Sequence, residues 1–103
     1  MTEQHFDYQF EWDPLKARLN ARKHGVSFER AAGVFLDPNA LSIYDERHSL
    51  KEERWITLGL DQSGALIVVC HTFKDVDKLS GPSIRIISAR KATKKEIEQY
   101  KEN

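Results

Sequence analysis

The segment Ala65 to Phe73 is apolar on both faces, carrying Leu66, Ile67, Val68, Val69 and Cys70 in unbroken succession. A strand of that kind needs cover on each side and reads as the central strand of a sheet. The turn Asp61-Gln62-Ser63-Gly64 separates it from Trp55 to Leu60, where Ile56, Leu58 and Leu60 fall on one face and Trp55 and Thr57 on the other. After it, Lys74 to Ser83 contains Gly81-Pro82 and reads as a long hairpin loop, leading to a last strand over Ile84 to Arg90. Ala40 to Tyr44 supplies a further short strand, followed by the charged stretch Asp45 to Glu53.

The N-terminal half begins with Phe6, Tyr8, Phe10 and Trp12 alternating with polar residues, the period of a strand with one buried face. Asp13-Pro14 then supplies an N-cap and a residue suited to the first helical turn, and Gly25 a stop, so a helix is expected to run to His24. Ser27 caps a second helix with Phe28, Ala31, Ala32 and Phe35 on one stripe, closed by Asp37-Pro38. Thr93 and Glu96 form a capping-box pattern for a final helix to about Lys101. The predicted order is β-α-α-β-β-β-β-α, an α+β fold with an antiparallel sheet and helices on one face. At 103 residues the chain is expected to be a single domain, 1–103, with residues 1–9 an N-terminal extension.

With 40 % hydrophobic and 31 % charged residues, the composition is that of a folded protein and not a disordered one. No segment has the run of apolar residues that a membrane span needs, and the start is polar and acidic, unlike a signal peptide, so a cytoplasmic location is expected. The single cysteine, Cys70, excludes an internal disulfide and reads as a small buried hydrophobe. Net charge is zero, which argues against binding nucleic acid through bulk electrostatics alone. The charges are nonetheless segregated. Leu15 to His24 carries Lys16, Arg18, Arg22 and Lys23 without an acid, and Arg85 to Lys95 carries Arg85, Arg90, Lys91, Lys94 and Lys95 without one. If the two segments meet, a positive surface survives on a neutral protein; the alternative is two solvated helix faces with nothing bound.

No metal constellation, glycine-rich phosphate loop or nucleophile elbow is present, so no cofactor is expected and any chemistry falls to side chains alone. RNA is cut without a metal when a base takes the 2′-hydroxyl proton, cations hold the charge on the phosphorane and an acid protonates the leaving 5′-oxygen. Lys23 and His24 at the end of the first helix, His71 near the end of the central strand and Arg90 at the end of the last strand are candidates. Each has a plainer reading. Arg85 and Arg90 can pair with Glu52, Glu53 or Asp45; His71 shares a face with Ile67, Val69 and Phe73, the setting of a core histidine; His48 and Ser49 can serve only to bond the backbone of a charged loop.

From Phe10 onward the chain carries, in order, Phe10-Glu11-Trp12-Asp13-Pro14, Asn20, Lys23-His24-Gly25-Val26-Ser27-Phe28, Val34-Phe35, Asp37-Pro38, Asp45, His48-Ser49, Glu53-Arg54, His71-Thr72, Arg85 to Arg90, Ala92-Thr93 and Glu96. On these residues it resembles the BrnT family of toxins from type II toxin–antitoxin pairs. The resemblance implies a fold similar to the RelE ribonuclease toxins, RNA cleavage that inhibits translation, and a BrnA-like antitoxin as partner, with DNA reached only through that antitoxin. It also implies phosphate-directed roles for Lys23 and Arg90. Lys74 stands where such families commonly place an arginine, keeping charge but losing the bidentate fork. The expected catalytic set is Lys23, His71, Lys74, Arg90 and Glu53, with Arg22, His24, Arg54, Arg85 and Lys91 binding RNA. The competing expectation is a non-catalytic module, an inactive toxin that acts with its antitoxin as a DNA-binding repressor complex.

Overall fold

A computed structural model describes residues 8–74 and 81–102. Its elements are β1 (Gln9–Glu11), α1 (Pro14–His24), α2 (Phe28–Gly33), β2 (Leu41–Tyr44), β3 (Arg54–Leu60), β4 (Leu66–Thr72), β5 (Ser83–Lys91) and α3 (Lys94–Lys101), in the predicted order. The strands form one sheet in the order β1-β5-β4-β3-β2. Pairing from β2 to β5 is antiparallel, whereas β1 joins the β5 edge in parallel, Phe10 opposite Ile84. Phe6 and residues 75–80 of the expected loop lie outside the described residues.

The helix ends follow from local chemistry. The Asp13 side chain accepts from the Leu15 N–H at 2.9 Å, and Gly25 takes the left-handed φ of 69° that ends α1. Ser27 accepts from the Arg30 N–H, and Thr93 and Glu96 form the reciprocal capping box of α3. α2 is shorter than its stripe predicts, because the chain tightens into a 3-10 turn over Val34–Leu36. That turn lies against β3 at Gly59, where an added Cβ would stand 2.9 Å from Val34 Cγ1.

α1 and α2 cover one face of the sheet. Val26, Phe28, Ala31 and Val34 pack there against Ile67 and Val69 of β4 and Ile84, Ile86 and Ala89 of β5, with Phe10, Trp12 and Phe35 at the margin. α3 lies against the other face, a correction to the expectation that all helices share one: Arg90 holds Glu96 across it, and Glu96 and Gln99 line a cavity with Ile43, Ile56, Leu58 and Val68. None of the described helices is long and apolar enough to cross a membrane.

Two features set what the open face presents. The β4–β5 register slips between Cys70 and His71, so that Cys70 opposes Ser88 and His71 opposes Ile86, leaving Ile87 as an extra residue. In strict alternation from Ala89, Arg85 would point into the core and Ile84 and Ile86 away from it. The bulge reverses this. Second, the buried Asn20 donates to the carbonyls of Val26 (3.0 Å) and Ala89 (2.8 Å) and accepts from the Ala89 N–H (3.1 Å), tying α1 alongside β5. Asn20→Leu leaves these backbone groups buried and unpaired and is expected to cost roughly 2–4 kcal/mol. A thermal melt checks this, with a fall in Tm of roughly 10–25 °C for a domain of this size.

Candidate active site

The bulge and the Asn20 tie bring the two basic segments together as neighbours, α1 running beside β5. At the end of the sheet where β4 finishes, Arg54 opposes Thr72, and the Arg85 N–H donates to Thr72 Oγ1 at 3.2 Å. Arg54, Thr72 and Arg85 therefore share the face that α1 and α2 leave uncovered. Glu52 stands between the two guanidiniums, hydrogen-bonded to Arg85 Nη2 and with Oε1 3.6 Å from Arg54 Nη2. Arg54 Nε is buried and has no hydrogen-bond partner among the described residues.

Two cavities meet at this carboxylate. One, of about 320 Å³, is lined by Asp13, Lys16, Glu52, Arg54, Arg85 and Ile87; the other, of about 250 Å³, by Arg47, His48, Leu50, Lys51, Glu52 and Arg54. Glu52 and Arg54 belong to both, so the cavities are parts of one trough. Lys16, Arg47, Lys51, Arg54 and Arg85 line it against only Asp13 and Glu52, an excess of positive charge on a chain of zero net charge. Planar guanidinium forks fit the paired oxygens of a phosphodiester. Lys74 lies two residues beyond Thr72, bridged to Ser83 through both backbone groups (2.9 and 2.7 Å), with its side chain exposed at the same end of the sheet. Glu53 is exposed beside Arg54, and its neighbour Glu52 is the residue that pairs with the arginines.

The remaining basic candidates lie at the other end of β5. Since Asn20 meets Ala89, the last turn of α1 carries Arg22, Lys23 and the half-buried His24 toward the end where Arg90 and Lys91 stand. Arg22, Lys23 and Lys91 are exposed. Arg90 is engaged with the fold: its Nη1 and Nη2 donate to the two carboxylate oxygens of Glu96 at 2.8 and 3.0 Å, which fastens α3 to β5. That bidentate contact raises the Arg90 pKa above its ordinary value, and the same contact, with bonds from Thr93, holds Glu96 at about 2 against the opposing effect of burial. Arg85 and Arg90 share the open face, but roughly 15 Å of strand separates them.

His71 sits in neither cluster. It is buried, edge-on to Phe35 with ring centroids 4.8 Å apart. Nδ1 lies 2.9 Å from the Thr72 carbonyl, which can only accept, so Nδ1 carries the proton and Nε2 accepts from Thr57 Oγ1 at 2.6 Å. The Thr57 oxygen in turn accepts from Ser42 at 2.7 Å. Burial pushes the His71 pKa down, the Thr72 bond opposing it, and both ring nitrogens are occupied. This is the core histidine that its strand face suggested. Cys70 is half-buried on the opposite face, more open than a core hydrophobe.

Sequence reasoning passed over Lys16, Arg47, Lys51 and Glu52 as site residues, and gave His48 only a backbone-bonding part. Ser49 does bond backbone, donating to the Asp45 carbonyl and accepting from the Arg54 N–H. His48 does something else: its Nδ1 lies 2.8 Å from Asp45 Oδ2. The signal was the Asp-x-x-His spacing, which a single 3-10 turn over Glu46–His48 closes. Among the described residues, no three His, Cys, Asp or Glu side chains gather where they could hold a metal ion.

The sequence matches, over residues 12–96, the family described as the ribonuclease toxin BrnT of type II toxin–antitoxin systems. The chain belongs to the BrnT family. Its fold is similar to that of the Brucella abortus ribonuclease toxin BrnT, whose crystal structure was solved at 1.1 Å resolution: the TM-score is 0.57 and the identity 24 %, over 84 % of this chain and 97 % of that one. No protein of curated function matches the sequence. For this BrnT-family chain, Glu96 gives a pH test. A carboxyl held at about 2 in the fold, against 4.5 as its ordinary value, contributes stability that is present above the ordinary value and is lost as pH falls toward 2. Asp61, held at about 2 by Ser63, Ala65 and Arg30 in spite of burial, acts in the same direction. Urea midpoints are expected to fall between pH 6 and pH 3, and Glu96→Gln to lower the midpoint at pH 6 while shrinking that fall.

Proposed function

We propose that this chain is the toxin of a type II toxin–antitoxin pair, a metal-independent endoribonuclease whose phosphate-binding centre is the Arg54–Arg85 trough, and that it acts in the cytoplasm to inhibit translation. The observation that carries the reading is the pair of guanidiniums held by one carboxylate, with Arg54 Nε unpaired. Glu52 sets the orientation of Arg85 before RNA arrives, and a group already aimed at developing charge costs no reorganisation during the reaction. Lys16, Arg47 and Lys51 add the local positive potential that draws in a polyanion.

Residues at the far end of β5 take a different part in this reading. Arg22, Lys23, His24 and Lys91 bind flanking phosphates, while Arg90 acts through the fold by fastening α3. Lys74 contributes charge at the edge of the trough. A BrnA-like antitoxin is the protein partner, and DNA is contacted only through it. Family membership supports the ribonuclease and the antitoxin; the trough supports where the RNA phosphate lies.

The test is cleavage of single-stranded RNA by the purified chain in EDTA. Wild type is expected to cut, and Arg85→Ala to lower kcat roughly 10²-fold or more, as for loss of one transition-state donor. Lys23→Ala is expected to raise KM with little change in kcat. Arg90→Ala should lower Tm. Cleavage that requires an added metal would contradict the reading, and so would an Arg85→Ala chain with wild-type kcat. A folded wild type that binds RNA or antitoxin but cuts nothing would mark a non-catalytic module.

A further inference from the structure

We propose that His48 is the general base of the cleavage reaction and that Asp45 is its positioning residue, an inference that rests on the ribonuclease reading above. His48 ends the 3-10 turn Glu46–His48, with its side chain 63 % exposed, and its Nδ1 lies 2.8 Å from an Asp45 carboxylate that is itself only 14 % exposed. An ionised carboxylate can only accept, so Nδ1 carries the proton of the neutral ring and the lone pair is on Nε2. Among the described residues nothing bonds Nε2. The tautomer is thus fixed with its basic nitrogen free, the arrangement that a proton acceptor needs.

The pair is not what holds its own loop together. Ser49 does that, through its bond to the Asp45 carbonyl, its acceptance of the Arg54 N–H and its own N–H to the Glu46 carbonyl. Arg85 and Glu52 tie the same loop to β5. The imidazole stands outside these contacts and lines the cavity that it shares with Arg54 and Glu52. A phosphodiester gripped by Arg54 and Arg85 therefore lies in the trough that His48 borders. His71 is the opposite case, buried with both nitrogens used.

The step balances without metal, water addition or redox change. His48 Nε2 takes the proton of the 2′-hydroxyl, and the freed oxygen pair forms a bond to phosphorus while Arg54 and Arg85 hold the non-bridging oxygens. The phosphorus–5′-oxygen bond then breaks with its electrons going to the 5′-oxygen, which takes a proton from solvent while His48 Nε2 returns to solvent the proton it took. The products are a 2′,3′-cyclic phosphate and a 5′-hydroxyl.

The experiment uses the full chain and an RNA oligonucleotide in EDTA, comparing wild type, His48→Ala, Asp45→Asn, Asp45→Glu and Arg85→Ala by kcat, KM and thermal melting. His48→Ala is expected to lose roughly 10²–10⁴ in kcat with KM and Tm little changed, and imidazole added to the buffer to restore part of the rate. Asp45→Asn is expected to lower kcat and not raise KM, with Asp45→Glu recovering part of the loss. A His48→Ala chain that cuts like wild type while Arg85→Ala is inactive overturns the assignment of His48 and leaves the ribonuclease reading standing. Loss of activity with loss of Tm and no imidazole rescue also overturns it, by making the pair structural. A wild type that cuts no RNA overturns both.

Discussion

One extra residue in β5 decides what the open face of this protein presents. Ala89 and Ile86 are three apart, yet both face the α1–α2 core, because the register slips at Ile87. Without the slip the side-chain alternation would ask for Arg85 in the core and Ile84 and Ile86 outside it, a burial of charge the fold could not support. The bulge sends Arg85 to the face on which Arg54 already stands, where Glu52 joins them. A bulge beside a candidate site is a common device for re-aiming a side chain.

The rest of the arrangement is held by polar contacts between elements, several of them distant in sequence. Asn20 locks α1 to β5 through both backbone groups of Ala89, 69 residues away, and so delivers Lys16 to one end of the trough and Lys23 to the far end of the strand. α3 has no buried residue and is held by Arg90–Glu96 and by Tyr100, whose hydroxyl donates to Asp37 at 2.6 Å. Asp37 also accepts from the Leu60 N–H at 2.8 Å. These contacts help a neutral chain keep a basic surface: the carboxylates Glu96 and Asp61 are taken up by Arg90 and Arg30, away from the trough, and among the described residues Asp13 and Glu52 are the carboxylates that line it.

Much of the fold was legible in the sequence because local chemistry writes it. Asp13-Pro14, Gly25, Ser27 and Thr93 with Glu96 act within one helical turn, and the two-sided apolar run of β4 declares its own burial. The parallel β1–β5 pairing and the far-face position of α3 depend on contacts between residues distant in sequence, which periodicity does not carry. The site was half legible. The segregation of basic residues pointed to α1 and β5, but strand-end placement suggested that His71 and Arg90 converge. β4 and β5 are antiparallel, so those residues stand at opposite ends of the sheet. The adjacent isoleucines Ile86-Ile87, which break the alternation, were the one visible sign of the bulge.

The claim that RNA lies in the trough is tested most directly by NMR titration of the labelled chain with an RNA oligonucleotide whose 2′-hydroxyls are O-methylated, so that it binds without being cut. The account predicts the largest shifts at Lys16, His48, Arg54 and Arg85, with weaker shifts at Lys23 and Lys91. Shifts confined to the Lys23–Lys91 end, with the trough unmoved at saturation, would contradict it.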